Sequence, residues 1–185
     1  AILTGDCTPT ATSNAATLTV SKAPVTATAG SYSGTYDGAA HSPSACAVTG
    51  TYKGDLSCTN SPSSVGPGIG SGVISPSVNG TGLSNYTINN INGTWSITKA
   101  TATIVVTGYE GVYDGQAHGA ALTSATGVNS EDLSSSVIVG SDTYTDVPGG
   151  KVNWSFEHNN YISENGSVDI TITKATATIV VTGYE

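Results

Sequence analysis

The sequence predicts an all-β protein, and three observations carry that prediction. Apolar and polar residues alternate at period two in several short runs. Clusters of Gly, Asn, Asp and Pro separate those runs. No stretch combines helical periodicity with good helix formers. Six or seven short strands in about 75 residues, at this turn spacing, predict an Ig-like antiparallel β-sandwich. An internal repeat then predicts tandem sandwiches in a rod-like array.

The repeat is direct. Residues Ile97 to Glu110 read ITKATATIVVTGYE, and Ile172 to Glu185 repeat them letter for letter. Lys22, Lys99 and Lys174 recur in register with it. Tyr36-Asp37-Gly38-Ala39-Ala40-His41 matches Tyr113-Asp114-Gly115-Gln116-Ala117-His118, and Asn85-Tyr86 matches Asn160-Tyr161. Self-similarity at a fixed period marks a repeat architecture. The expected boundaries are residues 1–22 as the closing strands of a preceding repeat, 23–99 as repeat one, 100–174 as repeat two, and 175–185 as the first strand of a following repeat. A chain of this kind reads as a window on a longer array. The terminal segments are expected to offer strands that complete sheets in neighbouring copies.

Taken in order through repeat two, Ile104 and Val106 share a face of the opening strand. Tyr113-Asp114-Gly115, like Tyr36-Asp37-Gly38, is a turn in which Gly supplies positive φ. Leu133 to Val139 is a further strand, with Val137 and Val139 opposite Ile138. Val152, Trp154 and Phe156 line one face of the next, and Val168, Ile170 and Ile172 one face of the last. Trp95, Trp154 and Phe156 are the expected major core side chains. The joints are short: a strand ends at Thr98 or Thr173 and the next begins near Ala102 or Ala177. Each repeat is expected to add on the order of 35–40 Å to a semi-rigid rod.

Composition narrows the function. The 185 residues include 23 Gly and 52 Ser plus Thr, but only 5 basic residues, all Lys. Charged residues make up 10%, against roughly 25% in an ordinary domain. With a net charge of −8 and no basic stripe, nothing neutralises phosphates, so nucleic acid is excluded as a partner. No apolar run is long enough for a transmembrane helix, so no membrane insertion is expected in this segment. Scattered acids on a solvated surface keep such a chain soluble.

The pattern of Lys99-Ala100, Tyr113 to His118, Glu131-Asp132-Leu133, Val147 to Gly150, Trp154 to Phe156, Asn160-Tyr161 and Ile170 to Ala175 resembles the MBG-type, Tyr-Asp-Gly-containing repeats of large bacterial surface proteins. The likeness covers nearly all of repeat two. Repeat one departs from it, with Lys53-Gly54-Asp55-Leu56 at the second turn, Val65-Gly66-Pro67-Gly68 at the third, and two cysteines. The resemblance implies a sandwich repeated many times in adhesins and other giant secreted proteins, with no catalytic residues.

Cys46 and Cys58 bracket a turn-containing loop of about 13 residues. A disulfide between them is expected, with buried free thiols as the alternative. It would add about 3 kcal/mol and imply an oxidising, extracellular setting. Cys7 has no partner in its segment; its mate is expected upstream or on another molecule. His41, His118 and His158 do not stand at metal-ligand spacing from the cysteines, so no metal site is expected there.

The paired Tyr-Asp-Gly motifs read first as structural turns and second as polar-aromatic contacts for a ligand. No nucleophile elbow and no phosphate-binding Gly-rich loop leading into a helix occurs. No cofactor is expected; the best candidate for a bound ligand is calcium, through Asp142, Asp146, Glu157, Glu164 and Asp169, although no Asp-x-Asp-x-Asp array is present. Five N-glycosylation sequons permit modification. The expected function is a non-enzymatic structural repeat of an extracellular bacterial surface protein, a stalk or fibre whose partner is itself. The rival is an adhesin module that binds glycan or a host or partner-cell protein through an exposed patch near Tyr52 or Tyr144.

Overall fold

The computed structural model describes residues 14–184; Cys7 lies outside the described residues. The described chain is all-β, and every strand pairing falls within residues 23–98 or within residues 100–173. We call these stretches the first and second modules.

In the first module the strands are β1 (Ala23–Thr28), β2 (Tyr32–Thr35), β3 (Ala47–Thr49), β4 (Ser57–Ser61), β5 (Gly70–Asn79), β6 (Tyr86–Ile91) and β7 (Gly93–Thr98). They form two sheets, β3-β1-β6 and β2-β7-β5-β4. The second module contains β8 (Thr103–Thr107), β9 (Tyr109–Val112), β10 (His118–Gly119), β11 (Ala121–Thr126), β12 (Val137–Val139), β13 (Thr143–Tyr144), β14 (Gly149–Phe156) and β15 (Glu164–Thr173). Its sheets are β11-β8, β12-β14-β15-β9 and the small pair β10-β13. Among the described residues the helical pieces are two single 3-10 turns, Leu83–Asn85 and Ser134–Ser136.

The pairings of one module recur in the other. β2 runs parallel to β7 with Tyr32 beside Trp95, and β9 runs parallel to β15 with Tyr109 beside Ile170. Ala23 pairs with Tyr86 in parallel, and Ala100 with Tyr161. These parallel edges depart from a purely antiparallel sandwich. The cause is the opening segment, which crosses from one sheet to the other. Its first half pairs at one sheet (β1, β8), and its second half (β2, β9) runs beside the closing strand in the same direction. Gly30 and Gly108 make the crossing, and a Cβ at either would collide with a backbone carbonyl, of Ser44 and of Asp169 respectively.

The alternation read from the sequence sets the burial. Val152 and Phe156 are buried on one face of β14, and Ile170 and Ile172 on one face of β15. Val137 and Val139 turn inward while Ile138 stays 71% exposed. In the first module Val25, Ala27, Val48 and Leu56 form one cluster, and Ala29, Val65, Ile74 and Ile97 another. Each fully buried aliphatic such as Ile74 contributes about 1.5–3 kcal/mol.

The tryptophans correct the expected core. Trp95 and Trp154 are half-buried, each lying across glycine in the neighbouring strand: Gly70 and Gly72 under Trp95, Gly166 under Trp154. A ring covering a glycine gap shields the ladder but keeps one edge in water. Phe156 is buried, and the largest fully buried side chain is Tyr161.

Cys46 and Cys58 form a disulfide with their Cα atoms 5.6 Å apart. Cys58 lies in edge strand β4 of one sheet, and Cys46 precedes edge strand β3 of the other, so the bond ties the two sheets. In the second module Val137 takes the place of Cys58: it pairs with Phe156 on β14 as Cys58 pairs with Val78 on β5. Residues 14–22 and 175–184, expected as strands of flanking repeats, form no strand; Leu18, Val20, Ile179, Val180, Val181 and Tyr184 are exposed.

Candidate functional site

The Tyr-Asp-Gly motifs are turns built twice to one plan. Asp37 Oδ1 accepts the Ala39 N–H at 2.9 Å, and Asp114 Oδ1 accepts the Gln116 N–H at 2.8 Å. A carboxylate gripping the amide two residues on is the Asx turn. Gly38 and Gly115 follow with φ of +77° and +78°, the left-handed region that suits glycine. The same carboxylate oxygens lie 3.0 Å from Nε2 of His41 and of His118. Each imidazole stacks on a tyrosine of the preceding strand: Tyr32 on His41 at 4.6 Å, Tyr109 on His118 at 3.6 Å.

The full repeating unit is therefore Tyr-x-Gly-x-Tyr-Asp-Gly-x-Ala-His. Tyr32 and Tyr109 belong to it and were not singled out from the sequence; their recurrence four residues ahead of Tyr36 and Tyr113 was the available signal. Hydrogen bonds hold both carboxyls below the usual aspartate range. For Asp37 the His41 bond is the larger cause, then the Ala39 amide; for Asp114 the Gln116 amide comes first, then His118.

Tyr36 and Gly38 do something more. The Tyr36 ring meets the Tyr161 ring edge-on at 5.5 Å and packs against the second module's cluster of Ala100, Ala102, Ala125, Leu133, Phe156 and Tyr161. Asn129 donates its side-chain N–H to the Asp37 carbonyl at 2.7 Å. Lys99 Nζ donates to the His158 carbonyl at 3.2 Å. Thus the turn of the first module is seated on the second, across a connection in which β7 ends at Thr98 and Ala100 is already buried.

The seat is a local network. Tyr161 donates its hydroxyl hydrogen to Glu131 Oε1 and accepts the Val128 N–H at 3.0 Å. Glu131 Oε2 accepts the Asn129 N–H at 2.8 Å, so one carboxylate orders both Tyr161 and Asn129. The Tyr161 bond is the main reason the Glu131 carboxyl is held below its ordinary range, while burial, then Glu131, pushes the Tyr161 phenol up. Neither Asn129 nor Tyr161 stood out as a joint residue in the sequence, because the contact joins positions far apart in the chain.

The other candidates are dispersed. Among the described residues no group of three His, Cys, Asp or Glu is placed to hold a metal ion. Asp169, one of the calcium candidates, pairs with Lys151 at 2.6 Å on the surface. A surface hollow of about 390 Å³ is lined by Ser135, Ser136, Ile138, Ser155 and Glu157. Tyr144 is half-buried and donates to the Lys151 carbonyl, whereas Tyr52 is 75% exposed. No helix among the described residues is long and apolar enough to cross a membrane. Comparison with known protein-family models and with curated proteins gave no match.

Proposed function

We propose that the chain is a structural part of an extracellular bacterial surface protein, a tandem Ig-like repeat of the MBG type that spans distance as a stalk or fibre. The observation that carries this reading is the joint. The same turn occurs in both modules, and in the first it is spent on packing against the next module instead of on a ligand. A connection of one unburied lysine between Thr98 and Ala100, flanked by an aromatic contact and a hydrogen bond, restricts bending between modules. Such restriction is what a spacer needs, because a flexible chain of modules coils and loses reach.

The disulfide supports an oxidising compartment. The low charge and abundant Ser and Thr suit a surface built of small side chains on strands. No catalytic residue, cofactor or nucleic-acid partner enters the reading; the partner is a further copy of the module.

Small-angle scattering on chains with two, three and four modules tests it. The maximum dimension is expected to grow by about 35–40 Å per module. Growth with a compact-domain dependence, in which the radius of gyration rises only as roughly N^0.38, would refute the spacer.

A further inference from the structure

The two Tyr-Asp-Gly turns are alike in backbone and unlike in occupancy. A Cβ on Gly38 would collide with the Asn129 amide; a Cβ on Gly115 would meet nothing within 4 Å. Tyr36 is packed on Tyr161, while Tyr113 is 44% exposed and its neighbour Val112 57% exposed.

Both turns are tied in the same way to the end of a closing strand. Tyr36 N–H donates to the Thr98 carbonyl and Tyr113 N–H to the Thr173 carbonyl, both at 2.8 Å. Beyond Thr98 come Lys99 and Ala100; beyond Thr173 come Lys174 and Ala175. Ala100 and Ala102 are buried in the cluster that receives Tyr36. Ala175 and Ala177 stand at the same remove from Tyr113 and are exposed.

From this we infer that Val112-Tyr113-Asp114-Gly115 is a docking surface for a further module of the residue 100–173 type, entered through Lys174-Ala175. This rests on the repeat reading proposed above. The occupant is specified by its face. It must bring an amide donor at the Asn129 position to the Asp114 carbonyl and a phenol ring at the Tyr161 position to the edge of Tyr113. Residues 175–185 repeat 100–110 letter for letter, and Ala175 and Ala177 would join the seat as Ala100 and Ala102 do. The first module is a poorer occupant, because register with the second puts Tyr52 where Asn129 stands and Gly54 where Glu131 stands.

The test extends the full chain at Glu185 with a second copy of residues 111–174 in which the counterpart of Tyr113 is Phe, which continues the repeat into a third module and keeps the peptide carrying Tyr113 distinct from its copy. Tyrosine nitration followed by peptide mapping reads each ring. In the 185-residue chain Tyr36 is expected to be protected and Tyr113 reactive. In the extended chain Tyr113 is expected to react several-fold more slowly, down to the rate of Tyr36, whose ring is half-buried against Tyr161. Replacing the appended counterparts of Asn129 and Tyr161 by Ala is expected to restore its reactivity while Tyr36 stays protected. A third module that adds β-sheet circular dichroism yet leaves Tyr113 fully reactive overturns the docking surface and spares the repeat reading. A third segment that gains no fold overturns both.

Discussion

Replacing Tyr161 by Phe removes one oxygen from the largest fully buried side chain of the second module and keeps its ring. The structure sets the cost. The hydroxyl donates to the Glu131 carboxylate and accepts the Val128 N–H. A hydrogen bond to a charged group is worth about 1.5–3 kcal/mol, and an amide left without its acceptor adds to the loss. The ring contacts with Phe156, His158 and Tyr36 are retained. We expect a destabilisation of about 2 kcal/mol, confined to residues 100–173. With m of about 1 kcal/mol/M in urea, the midpoint of that module falls by roughly 2 M. Two modules need not unfold together, so a single transition is not assumed. Trp154 fluorescence in a Trp95→Phe background follows the second module alone, since Trp154 packs on the affected cluster.

The pH dependence has a definite sign. The Glu131 carboxyl is held below its ordinary range in the fold. Its contribution is present above the unfolded value and is lost as pH falls through the folded value. The gap between Tyr161→Phe and the parent is therefore widest near neutrality and narrows in acid as Glu131 protonates. A midpoint unchanged within about 0.3 M at pH 7, or a gap that widens in acid, would show that the Tyr161–Glu131 bond does not hold the module together.

Other outcomes follow from the same geometry. Reducing the Cys46–Cys58 bond should cost the first module about 3 kcal/mol and leave the second unchanged, read by Trp95 against Trp154 fluorescence. Phe156→Ala should cost about 3–5 kcal/mol, enough to unfold the second module at room temperature, seen as loss of its dispersed methyl resonances. Gly38→Ala and Gly115→Ala carry the same left-handed strain of about 1–2 kcal/mol. Only Gly38→Ala also evicts the Asn129 amide, so it should be the more destabilising and should free Tyr36 to nitration; equal effects at the two sites would deny the joint. Carboxyl NMR titration should place Asp37 and Asp114 below ordinary aspartates, and the ordering of both turns should persist above that range and fade as pH falls through it.

Much of the architecture is legible in residue order. Period-two alternation places Val152 and Phe156 inward and keeps Ile138 outward, because successive side chains of a strand point to opposite faces. The disulfide was legible because a short loop between two strands brings its ends together. The repeat in the sequence aligns the pairings that the two modules share. Less legible were the parallel edges, since direction depends on where the opening segment crosses between sheets. The tryptophans misled for a related reason: size argues for burial, but glycines on the paired strands give each ring a shallow bed.

What the residues alone determined is the local plan: strands, turns, the sulfur pair and the recurrence of Tyr-Asp-Gly. Only the three-dimensional arrangement decided what that recurrence is for. Two turns of one plan look equivalent on paper, yet Tyr161 and Asn129 pack against the first while a Cβ on Gly115 of the second would meet nothing within 4 Å. Local chemistry is written in neighbouring letters, but a contact spanning 92 positions between Asp37 and Asn129 exists only once both modules have folded and met.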